Sequence, residues 1–284
     1  MANASRQLRA SVRAGEFLYM PSVYSQLQAR IVQDLGFRAA FLAEHLHSPR
    51  ENVKPAVTIT ERVQFALRVV AGLDIPLLVP VGTGWRNGSE IVETIREFIA
   101  GGIAGIQLED CLISQSVDGQ YHEQAIPFEE YMERLEAVCR KRDLLSPDFV
   151  VIASAAACRT RPVEEAANRI NEAAAVGADI GLLFPSSPKD VAHAPKLAHV
   201  PLVYWHELGV PNRPLAFSPQ ELKNMGYAGC IEVPSVPATS FDRLSDFHDD
   251  SGSDSPDQND WIKARQRIQE LIGLYELYEF DEGS

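Results

Sequence analysis

The chain of 284 residues has no apolar run long enough to span a bilayer, and stretches such as "IPLLVPV" stop far short of that length. Its amino terminus, "MANASRQLRASVRAGEF", carries no apolar signal region. These two absences predict a cytoplasmic protein with no membrane partner. Cysteine is scarce. Cys111, Cys139, Cys158 and Cys230 are widely separated and form no C-x-x-C pair, which argues against zinc binding and a disulfide framework and predicts buried thiols. Positive charge is also in deficit, with 26 Lys and Arg against 39 Asp and Glu and a net charge of -13. Such a field repels nucleic acid and anionic membranes. The basic "CRKR" run and Arg161 read as a solvated helix face and a turn. An anionic substrate then needs a local cluster of positive charge.

What is present is alternation. Short apolar runs ("FLYMPS", "AAFLAEH", "PLLVPV", "GIQLED", "FVVIASA", "IGLLFP", "PLVYW", "GCIEVPS") are separated by amphipathic segments at the spacing of repeated βα units. Several of those segments end in glycine, and Ser89 and Ser218 stand where N-caps belong. The pattern predicts an α/β fold, a (β/α)8 TIM barrel over residues 1–240, with function on the loops at the strand C-termini. Residues 241–260 are acidic and serine-rich and read as a flexible linker. Residues 261–284 carry an apolar stripe, Trp261, Ile268, Leu271, Ile272, Tyr275 and Tyr278, at helical spacing. That amphipathic helix either packs on its own barrel or reaches a partner subunit.

In order, "PSVYSQLQARIVQDLGF", "TITERVQFALRVV", "PLLVPVGTGWRNG", "GGIAGIQLEDC", "IPFEEYMERL", "AAAVGADIGLLFP" and "PLVYWHELG" resemble the isocitrate lyase and phosphoenolpyruvate mutase superfamily. The likeness covers most of residues 10–235. It implies a barrel whose strand-three turn holds magnesium through two aspartates, with chemistry on a small keto or hydroxy acid. It also implies a C-terminal helix exchanged within a homodimer, with dimers pairing into homotetramers. Here the two aspartate positions are Pro80 and Gly82, while Thr83, Gly84 and Asn87 persist. Glu109 and Asp110 match the family's I-E-D, but successive strand side chains point to opposite faces. The loop that carries the lyases' cysteine reads "LISQSVDGQYH", the family's arginine falls on Ser154, and its glutamate after F-P falls on Ser186. We therefore expect no metal and no cofactor.

Other groups stand at the strand ends. Glu44, His45 and His47 form a titratable cluster after strand two, suited to general acid or base work. Arg86 replaces a glycine in the strand-three turn and has the planar fork to grip a carboxylate. His206 stands where the family has threonine, flanked by Tyr204 and Glu207, and is expected to polarise an oxyanion together with Arg86 as a catalytic group. Tyr24, Thr83, Gly84, Trp85, Asn87, Glu109, Tyr204 and Glu207 make up the expected substrate-binding set, with Trp205 as packing. Each aromatic alone is better explained as barrel packing, but all lie at strand ends that converge on one mouth. Bulky Trp85, Tyr204 and Trp205 suit a larger, more aromatic substrate, as in specialised metabolism. The expectation is a metal-free, lyase-like enzyme acting on a small-molecule carboxylate or keto compound. Two alternatives stay open, a non-catalytic ligand-binding or scaffold protein and an ordinary magnesium-dependent C–C lyase.

Overall fold

A computed structural model of the protein describes residues 2–43, 58–84, 88–115, 121–156, 161–185, 187–207 and 217–233. In chain order its elements begin with α1 (Ala2–Arg13), β1 (Leu18–Val23), α2 (Gln26–Asp34), β2 (Ala40–Leu42) and α3 (Ile59–Val70). There follow β3 (Leu77–Pro80), α4 (Gly88–Gly101), β4 (Gly105–Glu109), β5 (Cys111–Gln115), β6 (Tyr121–Ala125) and α5 (Phe128–Leu145). The last are β7 (Val150–Ser154), α6 (Val163–Ala175), β8 (Ile180–Leu183), α7 (Pro188–Leu197), β9 (Leu202–Glu207), α8 (Pro219–Met225) and β10 (Gly229–Val233).

Eight parallel strands close in the order β1-β10-β9-β8-β7-β4-β3-β2, and each coincides with one of the eight apolar runs. Continuous apolar strands are what a parallel barrel demands, because helices cover one face and the lumen buries the other. All four residues of β3 are accordingly buried. One apolar cluster lies between strands and helices, and a second, containing Met20, Phe41, Leu78, Ile152, Leu182 and Ile231, fills the lumen. Close strand contact needs Gly105, where a Cβ would stand 2.5 Å from the Val150 carbonyl oxygen.

The caps follow their chemistry. Ser218 forms a capping box with Glu221, and Gly226 ends α8 in the left-handed region. Ser89, expected as an N-cap, instead lies inside the first turn of α4, which begins at Gly88. Two elements depart from the βα reading. The "LISQ" and "YHEQA" stretches form an antiparallel hairpin, β5 with β6, and residues 2–13 form α1, a helix ahead of the first strand. Asp118-Gly119 between two short runs is the hairpin signal the reading passed over. The proposed linker and C-terminal helix lie outside the described residues.

Candidate active site at the barrel mouth

Strand alternation decides which side chains reach the lumen. On β4, Ile106 and Leu108 join the outer cluster, which turns Gln107 and Glu109 inward. On β7, Ala153 packs outward and Ile152 inward, which puts Ser154 on the lumen side, and on β1 Ser22 follows Met20 inward. All four polar residues are buried at the C-terminal ends of their strands. Gln107 Nε2 donates to Glu109 Oε1 at 2.8 Å. Gln107 Oε1 and Ser154 Oγ are buried without a hydrogen-bond partner. Such atoms are rare in folded proteins and call for a water, ion or ligand.

Tyr24 continues the inward side of β1. Burial pushes its phenol up to about 12, and interaction with the Ser22 side chain opposes that rise. Its backbone N–H donates to Gln28 Oε1 at 2.8 Å, which fixes the start of α2. The turn after β3 is stitched to β4, since Val81 N–H donates to the Gln107 carbonyl at 2.9 Å and Glu109 N–H to the Gly82 carbonyl at 2.7 Å. Arg134 of α5 donates to the Thr83 carbonyl at 2.5 Å and also binds Glu130. Gly84 sits at φ +82, with a Cβ position 3.2 Å from Leu108 Cδ1, so a side chain there would strain the backbone and crowd Leu108.

Asp110 takes the other side of β4. It is fully buried and pairs with Arg169 of α6 at 2.7 Å, whose guanidinium lies 4.6 Å from the Phe128 ring centroid. On β9 the alternation runs opposite to the expected sides. Trp205 packs edge-on against Phe41, at 5.7 Å, and near Phe184, with the lumen cluster. Tyr204 instead joins the outer cluster, stacked edge-on with Tyr227 and Phe217, and burial pushes its phenol up to about 12. His206 Nδ1 lies 3.6 Å from Glu232 Oε2, and burial holds the imidazole below its usual range and the Glu232 carboxyl above its own.

The structure thus places Thr83 and Gly84 in a turn bonded to β4 beside Glu109, and Tyr24 just beyond β1, and sets Tyr204 and His206 on the helix-facing side. Glu44, His45, His47, Trp85, Arg86 and Asn87 lie outside the described residues, as does the side chain of Glu207. Gln107 and Ser22 were missed by the sequence reading, and Ser154 was read only as a loss. A period of two counted back from Glu109 would have found Gln107.

Magnesium needs hard oxygen donors. The two positions at which the resemblance implies carboxylates are Pro80 and Gly82, with no side-chain oxygen, and Asp110 is committed to Arg169 on the far face of β4. Among the described residues no three His, Cys, Asp or Glu gather as a metal group. These donors do not fit the implied magnesium site. The buried thiols are no substitute, since burial pushes both Cys139 and Cys230 up to about 12.

Fold and mouth together define a TIM-barrel protein with a polar set at the strand C-termini, the usual seat of function in that fold. The phosphoenolpyruvate phosphomutase family model matches residues 8–241, and the chain belongs to that family, within the isocitrate lyase and PEP mutase superfamily. It is 27% identical over 190 residues to 2,3-dimethylmalate lyase of Eubacterium barkeri, covering 66% of this chain and 64% of that protein. It is 28% identical over 180 residues to oxaloacetate decarboxylase of Rhodopseudomonas palustris (strain BisB5), covering 62% of this chain and 61% of that protein. The chain thus spans somewhat less than two thirds of the length of these two curated relatives. A structure of oxaloacetate acetylhydrolase in complex with the inhibitor 3,3-difluorooxalacetate superposes with a TM-score of 0.82 at 25% identity, covering 99% of this chain and 97% of that one.

Proposed function

We propose that the protein is a lyase-type enzyme that makes or breaks a C–C bond in a small carboxylate or keto acid at the barrel mouth, without a magnesium site of the family's kind. The observation that carries the reading is the buried polar set Ser22, Gln107, Glu109 and Ser154 at the ends of three strands that share one lumen. Relatives named for dimethylmalate and oxaloacetate chemistry support the carboxylate class. In this reading a base from Glu44, His45 or His47 takes the proton from a substrate hydroxyl. The C–C bond electrons pass to an enolate, and the same group returns a proton to it. Arg86 grips the substrate carboxylate, and Tyr24, Thr83, Gly84, Trp85, Asn87, Glu109 and Glu207 line the ligand. Enolate charge without a metal must be met by such donors, a task otherwise worth several kcal/mol to a cation.

One observation favours a second reading. Pro80 and Gly82 at the expected ligand positions suit a barrel kept for ligand binding alone, because fold and function are separable. Turnover of 2,3-dimethylmalate, oxaloacetate and larger aromatic hydroxy acids, followed by NMR with excess EDTA or with magnesium, separates the readings. Products are expected from at least one of these acids, at equal rates in both conditions, with kcat lowered about 100-fold when His45 and His47 are both alanine. Turnover only with magnesium restores the ordinary lyase, and binding without turnover leaves the ligand-binding protein.

A further inference from the structure

The floor of the mouth has more acceptors than donors. Gln107 spends an amide N–H on Glu109, which leaves its Oε1 an unmatched acceptor, and Ser154 Oγ is unmatched as donor and acceptor. Register sets Ser154 directly beside Glu109 on the neighbouring strand, and Gln107 one lumen layer below. All three are buried. The guanidinium groups of Arg134 and Arg169 are committed elsewhere, Arg134 to the Thr83 carbonyl and Glu130, and Arg169 to Asp110 on the outer face. A ligand carboxylate entering here meets the Glu109 carboxyl group on the same floor, in a medium where like charges repel strongly. A neutral hydroxyl meets the opposite situation. Its hydrogen suits Gln107 Oε1, and its oxygen suits the Ser154 hydroxyl.

We infer that the end of the ligand that enters between β4 and β7 is a hydroxyl rather than a second carboxylate, so that the substrate class is a hydroxylated monocarboxylic acid held by Gln107 and Ser154. The inference rests on the reading of the mouth as a carboxylate-binding lyase site and narrows it. Ser154 acts here as a specificity-determining residue. The same orphan atoms explain why the floor tolerates them, since a site built to bond a hydroxyl leaves those groups unpaired when the hydroxyl is missing.

The test is calorimetric titration of the full chain with L-malate and with 2,4-dihydroxybutanoate, which differ in a terminal carboxylate against a hydroxymethyl group. The dihydroxy acid is expected to bind at least about tenfold more tightly, and Ser154→Ala to weaken it about tenfold while leaving malate unchanged. The same variant, free of ligand, is expected to melt about 2 °C higher, because a buried unpaired hydroxyl has been removed. A serine with only a structural role, or one satisfied by water, moves melting without selective loss of the dihydroxy acid, and that result overturns the inference. Tighter binding of malate overturns it too while sparing the proposed lyase reading. Binding of neither acid, with no turnover of any acid tested, removes both.

Discussion

The two ends of the barrel bury comparable polar groups and treat them in opposite ways. At the N-terminal end, α1 lies across the opening, with Leu8 in the lumen cluster and Ser5 Oγ donating to the Ile103 carbonyl. Asp179 there accepts Arg9 at 2.8 Å, Arg142 at 2.6 Å and the Val151 N–H at 2.9 Å. The two guanidinium groups go on to the Phe149 and Gly177 carbonyls. Among the donors of this clamp only Arg9 Nε is unmatched. At the mouth, by contrast, Gln107 Oε1 and Ser154 Oγ are left open. A buried charge survives folding when its partners are supplied within the chain, so the closed end serves stability. A buried polar group left without one marks where the fold expects something else.

The comparison can be broken most forcefully at Asp179. Asp179→Asn keeps the shape but strands the buried Arg142 guanidinium and the part-buried Arg9 one, and a loss of up to about 3–5 kcal/mol in urea unfolding is expected. Ligand affinity of the folded fraction should be unchanged, and a variant that lost affinity with modest loss of stability would erase the division of labour. At the mouth, Arg134→Met removes a charged donor from the Thr83 carbonyl. It is expected to cost about 1.5–3 kcal/mol and, unlike the Asp179 change, to weaken carboxylate binding in calorimetry because the turn after β3 loosens.

The smallest effect sharpens the comparison through pH. Burial lowers the His206 pKa below 6.5, so protonation is harder in the folded state. Its contribution is present above the unfolded pKa and is lost as pH falls through the folded one. Glu232 has the opposite sign. Burial raises its pKa above 4.5, so its contribution is present below that value and is lost as pH rises through the folded pKa. His206→Gln is therefore expected to flatten the acid-side decline that begins below about pH 6.5 in melting curves and to leave the Glu232 trend intact. No change in slope would mean that the imidazole is freely hydrated.

Much of the fold was legible because burial on two faces writes itself as uninterrupted apolar strands, as in "PLLVPV" and "FVVIASA". The hairpin was not read, because β5 and β6 are short and β6 is mostly polar, and α1 was not read, because Leu8 and Val12 are too few to show a stripe. The loss of side-chain oxygen at Pro80 and Gly82 is plain in the residues themselves. The sides taken by Tyr204, Trp205 and His206 were not, because three successive residues at a strand end alternate whatever their chemistry. Only the neighbours of each, Phe41 for Trp205 and Tyr227 for Tyr204, tell lumen from helix layer.

By itself, the order of residues determined a barrel of eight βα units, its acidic field and the absence of the paired aspartates after β3. Each of these depends on composition and local periodicity, which a linear chain displays. Only the tertiary structure decided that Asp110 belongs to Arg169 and not to the mouth, that Asp179 ties α1 to the barrel, and that Gln107 and Ser154 share one floor with atoms to spare. Those facts depend on which strand lies beside which and in what register, and residues 45 positions apart, such as Glu109 and Ser154, stand side by side only when β4 pairs with β7.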